Sequence, residues 1–272
     1  MTRLGVLVSL IVLVSPRLDG GALVTLFQKG TAVKLNGQGF PVRFERSGKP
    51  LLPSPEAEKR AGTLSLGKAK YSLDTPTETR RLDEGRVQYV FAVPSRPRIT
   101  LELTVTLHVN AAGASLRRDI TIRADEKLAS DLTVSWPLMP RLGSDTWLPR
   151  IDGTGGPLGD QPAALYQFAG LAPGDGAHLA IPMVSTPLPS SALRATVLTD
   201  PFFSTRFARG AVAWRYPAAV GLEGKIEKRS LALVIHEGGP EEAIAAFFRE
   251  ALSDVPPGPP WLHEIAMVDY DF

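Results

Sequence analysis

Cysteine is absent from the 272 residues, which excludes disulfides, thiolate metal sites and a cysteine nucleophile. Histidine is scarce. His108, His178, His236 and His263 are the four, and they form no His-x-His or His-Glu-x-x-His spacing that would hold a metal. Gly-x-Ser-x-Gly, the strand-to-helix elbow of serine hydrolases, does not occur. Neither sign of charge dominates: 30 basic residues face 28 acidic ones. The densest basic pairs, Arg80-Arg81 and Arg117-Arg118, each have an acid close behind, so no basic patch points to nucleic acid. No apolar run is long enough to span a bilayer comfortably. The longest, Leu4 to Val14 behind Arg3, has the length of a signal-peptide core, with Gly20-Gly-Ala22 the nearest cleavage site. Residues 1–21 are therefore expected to be an export signal, which would make the protein periplasmic or secreted. If they are not, it is cytoplasmic.

What is present is a globular composition, 44% hydrophobic and 21% charged, rich in glycine (25) and proline (24). Those values favour a packed core and many turns. From Ala22 onwards the hydrophobic pattern has period two. It is clearest from Ile99 to Val109, where Leu101, Leu103, Val105 and Leu107 alternate with Glu102, Thr104, Thr106 and His108, as in a sheet with one wet face. Further strands are expected at Phe40–Arg46, Arg86–Val93, Arg117–Arg123, Leu132–Leu138, Ala177–Val184, Leu193–Thr199, Ala211–Tyr216 and Arg229–His236. The fold class is all-β, a large antiparallel two-sheet sandwich. Helical periodicity enters late: Ile244, Phe247, Phe248 and Ala251 share one face of a helix over Pro240–Leu252. A Pro-rich hinge, Val255 to Pro260, and one further strand, Trp261 to Phe272, follow. That strand is an orphan, because its backbone groups need a neighbour.

The run Leu231-Ala-Leu-Val-Ile-His-Glu-Gly-Gly-Pro-Glu-Glu242, then a helix, a Pro-rich linker and a strand, resembles the β-supersandwich that precedes the catalytic barrel of bacterial glycoside hydrolases. Galactose mutarotases share that fold. Ile181 to Pro189 and Thr199 to Arg206 add to the likeness. The resemblance implies a sandwich over 22–254, with 255–272 starting a (β/α)8 barrel that would lie in a missing C-terminal catalytic domain. Asp269 and Asp271 would then begin that barrel's site. The chain itself would be a non-catalytic carbohydrate-recognition or scaffold domain. The alternatives are a self-contained mutarotase-like epimerase and a structural exported protein with no ligand.

The residues supply little catalysis that is visible in sequence. Asp145, Asp152, Asp160 and Asp200 offer carboxylates in Gly-rich turns, where aspartate ordinarily serves turn geometry. A mutarotase uses a His and a Glu, and none of the four histidines sits in a His-Pro loop. The glycines of Asp152-Gly-Thr-Gly-Gly-Pro157 lack the Lys-Ser/Thr of a phosphate loop, and no cofactor signature is found. The residues suited to a carbohydrate partner are Trp147, Phe202, Phe203 and Trp214 as aromatic faces, with Asp152, Asp200 and Arg206 as hydrogen-bonding groups.

Overall fold

The computed structural model describes residues 23–53, 61–95, 97–110, 113–168, 175–189, 192–218 and 227–251. The expected export signal, the hinge and terminal strand, and with them His263, Asp269 and Asp271, lie outside the described residues. The described residues are all-β with one short helix, and they divide into two compact units. The first holds the chain up to Val109, then Arg117–Pro137 and Tyr216–Lys228. The second holds the described residues of Asn110–Leu116, Leu138–Arg215 and Arg229–Ala251.

In the first unit, β1 (Val24–Gln28), β2 (Thr31–Leu35), β3 (Pro41–Arg46) and β4 (Lys49–Pro53) pair in sequence order as an antiparallel sheet. Two tips, Lys29-Gly30 and Ser47-Gly48, hold positive φ at both residues (44° and 76°, 49° and 76°). This is the tight hairpin geometry that matches strand twist. The second turn ends at Gly48, since Lys49 already pairs with Arg46.

The unit continues with β5 (Gly62–Leu66), β6 (Ala69–Leu73), β7 (Glu78–Arg81), β8 (Arg86–Val93), most of β9 (Ile99–Asn110) and of β10 (Gly113–Ala124), and β11 (Leu132–Pro137). Neighbours run β11-β5-β6 in one sheet and β10-β9-β8-β7 in another. Leu101, Leu103, Val105 and Leu107 of β9 are buried, as their alternation demands. Phe91 meets Trp136 edge to face at 6.4 Å. Gly62 lies against the Trp136 ring, where a Cβ would come within 2.5 Å of Cε3. One residue breaks the apolar alternation of β10. Arg118 is 0% exposed, and none of its guanidinium nitrogens has a hydrogen-bond partner. Burial pushes its pKa down to about 9.

The second unit holds β12 (Trp147–Pro149), β13 (Gly155–Pro157), β14 (Ala163–Tyr166), β15 (Ala177–Leu179), β16 (Met183–Pro187), β17 (Leu193–Thr199), β18 (Thr205–Ala208), most of β19 (Ala211–Tyr216) and of β20 (Glu227–Glu237), and α1 (Pro240–Ala251). Its strands run β13-β12-β16-β17-β20 and β15-β14-β18-β19. The strand expected over Ala177–Val184 is two strands in different sheets, β15 and β16. Pro182 stands at the break and has no N–H to give to a ladder.

Helix α1 starts where Pro and acids favour a start, and Glu242 Oε2 accepts from the Gly239 N–H at 2.8 Å. Its Ala243, Ala246 and Phe247 cover Met183, Leu198, Ala232 and Val234, with Trp147, Ile181 and Ile244 packed alongside. The other face of β17 points into the unit, where Trp214 Nε1 donates to Thr199 Oγ1 at 3.2 Å.

Candidate functional site

A groove of about 620 Å³ opens on the first unit, lined by Phe27, Gln28, Lys29, Asp83 to Arg86 and Thr106 to His108. Three local events build it. The β1–β2 tip carries Phe27 and Lys29, the turn between β7 and β8 carries Asp83 and Glu84, and β9 supplies Thr106 and His108 from its polar face. In β8 and β9 Arg86 pairs with Thr106, and the Leu107 N–H donates to the Gly85 carbonyl at 2.9 Å. Beyond that pair, Glu84 and His108 both line the groove.

The turn is firmly held. Asp83 Oδ1 accepts from the Gly85 N–H at 2.9 Å, and Oδ2 accepts from Arg86 Nε at 2.6 Å. These bonds hold the Asp83 carboxyl below the usual carboxylate range against the opposing desolvation. The Glu84 carbonyl accepts from the Phe27 N–H at 3.0 Å. Glu84, its backbone tied down, and His108 are both exposed and line the same groove. Phe27, 52% exposed, adds a bare ring at the same groove. A carboxylate and an imidazole in one groove can move protons in opposite directions on a bound molecule.

The polar face of this sheet continues from the groove. Gln88, Glu102, Thr104 and Thr106 of β8 and β9, with Arg117, Asp119 and Thr121 of β10, are half-buried there. Arg117 Nε donates to Asp119 Oδ1 at 3.1 Å, with side chains only 16% and 21% exposed. Arg123 meets Glu102 across the strands at 3.5 Å.

The residues singled out from sequence are placed elsewhere, in the second unit. Trp214 is 1% exposed and belongs to the interior, which corrects its reading as an exposed aromatic face. Trp147 packs beside α1, against Gly155, where a Cβ would lie 2.5 Å from its Nε1. Trp147 pairs with Ser185, Ser185 with Thr196 and Thr196 with Val234, so these four share the helix-facing side. Thr199, which receives the Trp214 N–H, points to the opposite side. The two tryptophans therefore cannot flank one ligand.

Asp152 is a turn residue: its Oδ1 accepts from the Thr154 hydroxyl at 2.6 Å and the Thr154 N–H at 2.9 Å, bonds that lower its pKa. The glycine-rich run behind it is the β12–β13 hairpin. Asp200 Oδ2 accepts from the Ser230 N–H at 2.7 Å. The Phe203 ring carries the Arg229 guanidinium at 3.1 Å. Arg206 is exposed and donates from Nη1 to the Asp175 carbonyl at 3.4 Å. Phe202, 61% exposed, meets Phe168 edge to face. These bonds hold turns and loops.

A second polar cluster lies beside α1. His236 Nδ1 donates to the Glu237 carbonyl at 3.0 Å, and Nε2 sits 2.8 Å from Thr196 Oγ1. Thr196 Oγ1 is 3.0 Å from Ser185 Oγ, which accepts from Arg194 Nε at 3.0 Å. Burial above all lowers the His236 pKa, with Arg194 and Arg249 acting the same way and the Glu237 carbonyl and Glu242 opposing. The cluster is closed over and cross-braces β16, β17 and β20.

Sequence reasoning placed His108 on the polar face of its strand, and the structure agrees. It missed Glu84, Lys29 and Phe27. The one available signal was the strong alternation of β8 and β9, which sets their register only once they are known to pair.

No protein-family model matches the chain, and no curated protein sequence matches it either. Solved structures do. A candidate aldose 1-epimerase of Klebsiella pneumoniae is similar over 86% of this chain and 84% of its own, at 11% identity and a TM-score of 0.51. A galactose mutarotase-like protein of Lactobacillus casei is similar over 79% of this chain and all of its own, at 11% identity and 0.48. The 4-alpha-glucanotransferase of Thermococcus litoralis is similar over 83% of this chain and 40% of its own, at 8% and 0.43. The fold is that of the galactose mutarotase-like proteins. At these identities the likeness speaks for architecture, and function has to be argued from the site.

Proposed function

We propose that the protein binds a sugar in the groove of its first unit and interconverts the sugar's anomers. The observation that carries this reading is the presence of Glu84 and His108 in the lining of one groove, on a mutarotase-like fold. Anomer exchange needs a base at the anomeric hydroxyl and an acid at the ring oxygen. Glu84 takes the proton from O1–H as the C1–O5 bond breaks and its electron pair moves to O5. His108, protonated, gives its proton to O5. The open-chain aldehyde turns about C1–C2, and the same two groups close the ring on the other face with their protons returned. Phe27 offers a flat apolar surface for the C–H face of the ring, and Lys29 a donor at the rim.

Polarimetry of freshly dissolved α-glucose and α-galactose tests the reading. The wild type is expected to exceed the buffer rate. Glu84→Gln and His108→Ala are each expected to lose about 100-fold, the scale of one acid or base group. A wild-type rate equal to buffer overturns the catalysis. Sugar binding that persists without turnover would instead make the chain a recognition domain, as its resemblance to glycoside hydrolase sandwiches suggests.

A further inference from the structure

We infer that the sugar is the reducing end of an oligosaccharide, whose following units lie on the polar face of β8, β9 and β10; this rests on the groove being the sugar site. Three observations lead there. The groove, at about 620 Å³, falls within the size range of pockets that hold whole drug-sized ligands, roomy for a single hexose ring. It also adjoins the polar face of the sheet. Thr106 lines the groove and is at the same time part of the polar face, next to Arg86 on β8. From β9 the face passes to β10, one strand spacing or about 4.8 Å further, where Arg117 and Asp119 stand.

The chemistry of that face selects the ligand. Thr104, Thr106 and Thr121 both donate and accept hydrogen bonds, and so does Gln88. The charges come in bonded pairs, Arg117 with Asp119 and Arg123 with Glu102, so the face has little net charge to offer a polyanion. Arg117 and Asp119, at 16% and 21% exposure, are sheltered for an ion pair on the outer side of a sheet. A neutral polyhydroxylated chain, which needs donors and acceptors in alternation and no counter-charge, fits such a surface. A nucleic acid or an acidic polysaccharide does not.

The test is calorimetric titration with gluco-, galacto- and manno-saccharides of one to five units. At least one series is expected to bind tenfold or more tightly at three units than at one. Asp119→Asn and Thr104→Val, both close to isosteric, are expected to remove most of that gain and to leave the monosaccharide Kd within twofold. Equal affinity for one unit and for five, or a length gain that survives both variants, overturns the inference and leaves the single-sugar reading standing. Failure of every saccharide to bind, single units included, removes the sugar reading itself and this inference with it.

Discussion

The imidazole Nε2 of His236 lies 2.8 Å from the hydroxyl of Thr196, at the end of a polar row that runs from Arg194 through Ser185. Nδ1 gives its hydrogen to the Glu237 carbonyl, and the Thr196 hydroxyl donates to Ser185 Oγ, which also accepts from Arg194 Nε. Burial above all lowers the His236 pKa, with Arg194 and Arg249 acting the same way.

A folded-state pKa below the unfolded value of about 6.5 means that the unfolded chain binds more protons as pH falls. Stability from this group is therefore complete above about pH 6.5 and is lost as pH drops towards the folded pKa. Thermal unfolding followed from pH 7.5 to 4.5 is expected to show a falling Tm over that window. His236→Gln should flatten the fall. An unchanged slope in the variant would assign the acid sensitivity to other groups.

Arg118 is a buried charge with no hydrogen-bond partner among the described residues. A pKa of about 9 leaves it charged at neutral pH among the apolar residues of β10. Exchanging buried charges for apolar groups of similar volume has stabilised other proteins by about 1 to 4 kcal/mol. Arg118→Met is accordingly expected to raise Tm by several degrees. A drop in Tm would show that the guanidinium finds partners in solution.

Trp147 is bedded on Gly155 and against the helix-facing cluster. Gly155→Ala would drive a methyl group into the indole, at about 1 to 3 kcal/mol for an overpacked site. Denaturant titration should show the loss of stability, and saccharide affinity in the still-folded variant should be unchanged. Weakened sugar binding would return Trp147 to the ligand site.

Gly238 has φ of 101°, and a Cβ there would lie 2.6 Å from Glu242 Cδ. Gly238→Ala should therefore both strain the backbone and displace the carboxylate that caps α1. The expected outcome is a lower Tm than that of Glu242→Ala, which loses the cap alone for about 1 kcal/mol. Equal losses in the two variants would remove the backbone strain from the account.

Local pattern was enough for the fold class. Strict alternation on β9 follows from the pleat of a single strand, so Leu103 and Thr104 declare their faces before any partner is known. The Pro-Glu-Glu start of α1 is legible for the same reason, since it concerns one turn of chain. The sequence by itself thus determined an all-β chain with a late helix and no thiol chemistry. It could not tell which strands pair. Only tertiary structure brings Glu84 and His108 to one groove, by laying β8 against β9. Tertiary structure also puts Trp214 in the interior and Trp147 beside the helix, on strands of two different sheets. The physical reason is one of range. A side chain's face is set by its own strand, whereas a site needs groups distant in sequence, and their meeting depends on pairing and packing that no short window of residues contains.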